Sequence, residues 1–300
     1  MESTSVQPDE HKIRLIVESM GDSLKLPKRF RMCVDALTAD LKAFPDLGGF
    51  RELRASASGQ YARQELRSMK AAIGEHPIVL VDLRQENHGF VNGMAVNWHG
   101  LHNGANKGLS PDEVLLKESE LLSGLRQQAS ITFDTLKGKS VDIGGPVQGE
   151  KEIQSEEELA AAEHLLYMRF FVTDHHRPSD SEVNRFIAWV KELPNGVWLH
   201  FHCRGGVGRA STFFTMYDMM RNAGKVTFKD LTERQRLIGG RDFKRMDPED
   251  TYKYEQALER LKFIEQFYVY CKANMDEDYQ RSWSAWKVLQ ENENLTSSSE

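Results

Sequence analysis

The residue types best suited to chemistry fall within one octapeptide, His202-Cys203-Arg204-Gly205-Gly206-Val207-Gly208-Arg209. An apolar stretch, Val197 to His202, runs into the cysteine, and Arg209 opens a segment of helical pattern. Strand, glycine turn and helix in that order aim backbone N–H groups at an anion from the positive end of a helix. Gly205, Gly206 and Gly208 permit the backbone conformations that such a nest needs. Arg209 can offer two parallel donors to anionic oxygens. A thiol beside a helix start and an arginine is favoured as thiolate, its nucleophilic form. These are parts for attack on a phosphate ester without a neighbouring general base: Cys203 as nucleophile, residues 204–208 as cradle and Arg209 as clamp. A lone cysteine is ordinarily a small buried hydrophobe. The weight rests on its combination with the glycines and arginine in a strand–turn–helix context.

A leaving oxygen also needs a proton, best supplied by a carboxyl near the scissile bond. Asp174, in Thr173-Asp174-His175-His176-Arg177-Pro178, follows a strand-like run, Tyr167 to Val172. The carboxyl ends of core strands are where sites collect in open α/β sheets. Position alone leaves open that Asp174 only turns the chain. A metal site at His200, His202 and Cys203 is disfavoured. Strand alternation sends Cys203 away from the two histidines, and Arg204 and Arg209 would repel a cation. No metal or other cofactor is expected.

The elements that must position these groups follow from pattern. Pro77 to Leu83 is a continuous apolar run with β-branched residues, which predicts a strand buried on both faces. The runs at Tyr167–Val172 and Val197–His202 predict two more buried strands. Helices are predicted at Gln64–Ile73, from Ser110-Pro111, and at Glu156–Leu166. A capping box at Pro178-Ser179-x-x-Glu182 starts another, and further helices fall at Arg209–Met220, Phe228–Ile238 and Pro248–Ala273. Asn87–Gly108, rich in Gly, Asn and His, reads as a long functional loop. Residues 1–26 read as a partly flexible lead-in with a short amphipathic helix, His11 to Met20. Residues 291–300 read as a disordered tail. The alternation after residue 77 predicts an α/β fold with parallel strands. Two β-rich segments, 29–60 and 131–153, are expected to pair as a small subdomain within one domain spanning 27–290.

Composition limits the partners. Net charge is −6, so nothing suggests a broad basic surface for nucleic acid, and an anionic substrate must be drawn by a local basic pocket. Cys33, Cys203 and Cys271 are too few and too scattered for a disulfide framework. No run spans a bilayer, and the first ten residues carry no secretory signal. Localisation therefore stays open between the cytoplasm and export by a route without a cleaved signal. Oligomeric state is not readable.

The chain resembles the protein-tyrosine-phosphatase superfamily through the Cys-X5-Arg loop. More narrowly, it resembles the bacterial protein-tyrosine-phosphatase-like phytases. Arg29-Phe30-Arg31, Val81-Asp82-Leu83-Arg84 with His88-Gly89, Thr173-Asp174-His175, Glu233-Arg234-Gln235 and Phe263 to Tyr268 carry the narrower likeness. It runs from residue 29 to about 286. The resemblance implies a phosphatase core with a small partial β-barrel, acting on inositol polyphosphates through a phosphocysteine. It implies Cys203 as nucleophile, Arg209 as clamp and Asp174 as acid and later base. His175 would stand near the substrate, and Arg31 would reach the pocket from the small subdomain. Lys253 and Arg260 share a helical face and would add basic contacts, with Lys107, Lys137 and Lys139 as weaker candidates. Where many relatives carry Ser or Thr after the arginine, this chain has Ala210, leaving Ser211 as a possible substitute. A phosphotyrosine-protein phosphatase and a non-catalytic phosphate-binding module are the competing readings.

Overall fold

The computed structural model describes residues 12–21, 25–37 and 44–297. A five-stranded sheet forms the core, in the order β10 (Leu166–Arg169), β4 (Ile78–Asp82), β11 (Trp198–His202), β3 (Ala55–Ser58) and β2 (Arg31–Met32). All its neighbours are parallel except the β2–β3 pair. Helices α1 (Arg63–Ile73), α4 (Asp180–Lys191), α5 (Gly208–Asn222), α6 (Phe228–Leu237), α7 (Tyr254–Asn274) and α8 (Trp283–Ser297) complete this part. Helix α5 is buried along nearly its whole length, including Phe213, Phe214 and Met216. That burial seats the glycine loop before it on a rigid support.

A second, antiparallel sheet has the order β1 (Arg14–Ser19), β6 (Met94–His99), β5 (His88–Val91) and β9 (Ile153–Gln154). It has its own core, in which Val17, Val91, Val96 and Trp98 meet Leu122 and Leu125 of α2 (Pro111–Gln127). β7 (Ser130–Ile131) and β8 (Val147–Gln148) form a short ribbon beside it, and α3 (Glu156–Ala162) leads back to the core. Residues 131–153 thus belong to the small β unit. Residues 29–60 do not: their strands β2 and β3 join the five-stranded sheet. β3 reads Ala-Ser-Ala-Ser because His200 and Trp198 fill the space beside it, each hydrogen-bonded to Ser56 at 2.8 Å.

Five further expectations change. The lead-in helix is strand β1 over Arg14–Ser19, with Ile16 and Val17 fully buried; His11 lies outside the described residues. A bulge interrupts its alternation and hides the strand period. The segment Asn87–Gly108 is mostly the hairpin β5–β6. Its two-residue turn, Asn92-Gly93, has φ of 50° and 78°, as the Asn-Gly hairpin signal demands. The tail is helical as far as Ser297, α8 being anchored by buried Trp283 and Trp286; residues 298–300 lie outside the described set. β10 is an edge strand, with Leu166 57% exposed. At α4, Ser179 caps Glu182 N–H, but the Glu182 carboxylate accepts from Phe171 N–H instead of closing the box. No helix among the described residues is long and apolar enough to cross a membrane.

A buried charge network joins the two sheets at His88 of β5. Its Nε2 lies 2.8 Å from Glu156 Oε2 and 3.2 Å from Asp82 Oδ2. Its Nδ1 faces the Glu86 carbonyl at 2.8 Å, so both nitrogens must donate and the ring is an imidazolium. Burial pushes this histidine down, but Asp82 and Glu118 outweigh that, against Arg84 and Arg169, and raise it to about 10. A raised folded-state value means that the stabilisation is full below the unfolded value near 6.5 and is lost as pH climbs through about 10. The denaturant midpoint of the wild type should therefore fall steadily from neutral pH to about 10. A His88→Gln variant should be less stable at neutral pH and show a flatter alkaline slope. Parallel slopes for the two proteins would contradict this assignment.

Candidate active site

The loop between β11 and α5 has its carbonyls drawn outward. Arg204 O accepts from Gln60 N–H at 3.2 Å, Gly205 O from Arg29 Nη1 at 2.6 Å, and Gly206 O from Arg31 Nη1 at 2.8 Å. Anchoring successive carbonyls on the outer side turns the peptide N–H groups toward the loop interior, the arrangement of an anion nest. Cys203 lies at its base, 3% exposed, and its Sγ accepts from Gly206 N–H at 3.3 Å. Gly206 has φ of +72°, and a Cβ there would lie 2.3 Å from Gly59 N. Only glycine fits that position.

Arg209 is buried, and its two terminal nitrogens grip both oxygens of Glu86, at 2.6 and 2.8 Å. The fork expected to meet phosphate is therefore turned onto a protein carboxylate. Arg209 Nη1 also donates to Val172 O at 2.9 Å, while its Nε has no partner among the described residues. Nε is thus the one guanidinium nitrogen of Arg209 without a protein partner among the described residues, and it is buried. Burial opposes the Glu86 charge, but Arg209 and Arg84 outweigh it and hold the carboxyl well below its ordinary range.

Asp174 stands on the other side of Arg209, its Oδ1 3.0 Å from Nη2. Oδ2 accepts from Asn103 Nδ2 at 3.0 Å and Oδ1 from His175 N–H at 2.9 Å. Burial raises this carboxyl and Arg209 lowers it, the balance lying below the ordinary value. In this state Asp174 is a carboxylate.

Around them lies a cavity of about 360 Å³. Cys203, Arg204, Gly205, Val207 and Gly208 contribute from the loop, Asp174 and His175 from the segment after β10, and Lys253 and Arg260 from the start of α7. Lys253, at the N-cap of α7, and Arg260, within it, both line the cavity. Lys139 lines the cavity too, whereas Lys107 and Lys137 do not. Arg31 is corrected: it is 2% exposed beneath the loop, because Gly206 O and Ser211 Oγ take its guanidinium. Ser211 is corrected as well, since its hydroxyl accepts from Arg31 Nη2 at 2.9 Å and Arg241 N–H at 2.8 Å rather than turning to Cys203. His202 faces away from the cavity, with Nε2 3.0 Å from Glu156 Oε1. The Arg204 side chain leaves the loop for Glu18 and Lys139 O.

Several lining residues escaped the sequence reading. His99, His102 and Asn103 come from the end of β6 and the turn after it, and Arg241, Asp247 and Tyr252 from the irregular segment between α6 and α7. The His and Asn content of Asn87–Gly108 pointed to the first group; the second carries no periodic signal. His102 stacks on Tyr252 with centroids 3.5 Å apart, and Tyr252 Oη lies 3.3 Å from His175 Nε2. Burial, with Lys253 and Arg209 adding against Asp174, pushes His175 down to about 4, so its ring is neutral at pH 7. Arg260, lowered by burial and then by Arg241 to about 10, stays cationic and donates to His175 O.

Asp82, His88 and Glu156 have spacing that could hold a metal ion. They lie in the buried network, where Arg169 Nε is 3.1 Å from Asp82 Oδ2 and the His88 ring supplies a second positive charge. A cation there would have to displace that charge.

The comparisons agree with this geometry. A family model for PTP-like phytase, described as "Inositol hexakisphosphate", matches residues 81–221. A PTP-like myo-inositol phosphatase from Mitsuokella multacida, solved with myo-inositol-(1,3,4,5)-tetrakisphosphate, superposes with a TM-score of 0.84 at 32% identity, over 95% of this chain and 50% of that one. A PTP-like phytase from Bdellovibrio bacteriovorus superposes at 0.71 and 29% identity, over 93% and 97%. Effector protein hopD2 of Pseudomonas syringae pv. tomato is 28% identical over 277 residues, 89% of this chain and 59% of that protein. The chain thus spans about half the length of the Mitsuokella protein and 59% of the Pseudomonas one. With the fold, the loop and these likenesses in agreement, the chain resembles the protein-tyrosine-phosphatase-like phytase family over most of its length.

Proposed function

We propose that this protein hydrolyses phosphomonoesters of myo-inositol polyphosphates, inositol hexakisphosphate included, through a phosphocysteine. The observation that carries the reading is the cavity itself. It sets the Cys203 nest beside a carboxyl and rings it with Lys139, Arg241, Lys253 and Arg260, in a chain of net charge −6. A multiply charged substrate is attracted by that local field against the global one. The tetrakisphosphate bound to the Mitsuokella relative supports the same substrate class.

In this mechanism the phosphate dianion occupies the loop N–H groups and draws on Arg209, whose Nε is unpartnered and whose Nη2 it would share with Asp174. The Cys203 thiolate attacks phosphorus, the P–O bond breaks, and the leaving alkoxide takes a proton from Asp174. Asp174, now a carboxylate, takes a proton from water as that water attacks the phosphocysteine, and the thiolate departs with its electron pair. One difficulty is that Asp174, paired with Arg209, is held as a carboxylate. The incoming dianion resolves it, because negative charge on Arg209 weakens the hold on Asp174 and raises its proton affinity. Substrate binding assembles its own acid.

Three outcomes test this. Wild-type enzyme should release phosphate stepwise from inositol hexakisphosphate in a product-resolved time course, and Cys203→Ser should release none; full release by the variant, or faster turnover of phosphotyrosine peptides by the wild type, contradicts the reading. Because free and bound enzyme hold Asp174 differently, the basic limb of kcat should lie at higher pH than that of kcat/KM. Coincident limbs would count against substrate-induced protonation. Finally, Gly206 N–H is the one hydrogen-bond donor to Cys203 Sγ among the described residues, and Ala210 supplies no hydroxyl. Thiolate departure should then be slow, giving a burst of about one equivalent of para-nitrophenol from para-nitrophenyl phosphate. A linear progress curve from the first turnover would show that departure is not limiting.

A further inference from the structure

Strand β1 pairs with β6 at Val17↔Val96 and next at Ser19↔Ala95, so Glu18 is an extra residue without a partner. Bulges of this kind bend a strand and re-aim a side chain. Glu18 is re-aimed inward: its side chain is 6% exposed and touches the phosphate-binding machinery at two points. Its Oε1 accepts from Arg204 Nε at 2.5 Å, and from Asn97 Nδ2 at 3.1 Å. Its Oε2 lies 2.9 Å from Nη1 of the fully buried Arg84. Arg84 Nε is in turn 3.0 Å from Glu86 Oε1, and Glu86 grips Arg209. The charges alternate along Arg204, Glu18, Arg84, Glu86 and Arg209, and both ends of that ladder lie in the loop.

We infer that Glu18 is a positioning residue of the phosphate loop, acting through Arg204 and Arg84; the catalytic part of this inference rests on the hydrolase reading above. Two effects follow from the geometry. Holding the Arg204 side chain restrains a loop whose glycines would otherwise rotate freely. Balancing Arg84 from one side leaves Glu86 free to hold Arg209 from the other. Without Glu18, the uncompensated Arg84 charge competes with Arg209 for Glu86. The small sheet thereby contributes to the cradle as well as to the cavity wall.

The test uses the full chain with Glu18→Gln, Arg204→Gln and the double variant, each confirmed folded by near-ultraviolet circular dichroism. Inorganic phosphate binding is measured by calorimetry and kcat/KM with para-nitrophenyl phosphate. Each single variant should weaken phosphate binding and kcat/KM by about tenfold or more, and the double variant should lose little beyond the worse single. A purely structural role would lower the melting temperature without changing the affinity of the folded molecules. Phosphate affinity within about twofold of wild type in either single variant, or losses that multiply in the double, would overturn the inference. The binding arm needs no turnover, so it decides the role of Glu18 even if the wild type releases no phosphate, a result that would instead overturn the hydrolase reading.

Discussion

The bidentate pair between Glu86 and Arg209 is the constraint on which the rest of the site depends. A buried guanidinium must be compensated, and compensation by a carboxylate on its distal edge fixes which edge is left for substrate. Glu86 occupies Nη1 and Nη2, Asp174 approaches Nη2, and Nε stays without a partner. The pair is made by groups from different elements, Glu86 just beyond β4 and Arg209 at the start of α5, so it also locks the loop to the sheet. Its orientation is set by the fold itself, the kind of preorganisation that the proposed phosphoryl transfer would use.

Around that pair, buried arginines and cavity-lining cations form two distinct sets. Arg31, Arg84, Arg169 and Arg234 are all nearly fully buried, and each is spent on carbonyls or carboxylates. The cations that line the cavity are a different set, Lys139, Arg204, Arg241, Lys253 and Arg260, of which Arg204 and Arg241 are themselves paired with Glu18 and Asp247. Arginine content alone therefore says little about substrate contacts, and Arg31 shows the point.

The loop was legible in the sequence because its chemistry requires contiguous residues, and Lys253 with Arg260 because helical spacing puts them on one face. Asp174 was legible as a residue after a core strand. Glu86, Asn103, Arg241 and Tyr252 were not, since only tertiary contact brings them to Cys203. Strand β1 reads as helix because the bulge at Glu18 breaks the two-residue period, whereas β3 falls in a segment read as β and differs only in the sheet it joins, the five-stranded one. The β5–β6 hairpin was different: Val91-Asn92-Gly93-Met94 states its turn type plainly, and the richness of the segment in Asn, Gly and His masked it.

The central claim is that Cys203 carries the phosphoryl group between two chemical steps. The most direct measurement is mass spectrometry of enzyme quenched in acid during turnover of para-nitrophenyl phosphate, with peptide mapping. The account predicts one added phosphoryl group on the peptide containing Cys203, absent before substrate is added. Phosphate release with an unmodified Cys203 throughout, or a label on another residue, would contradict it.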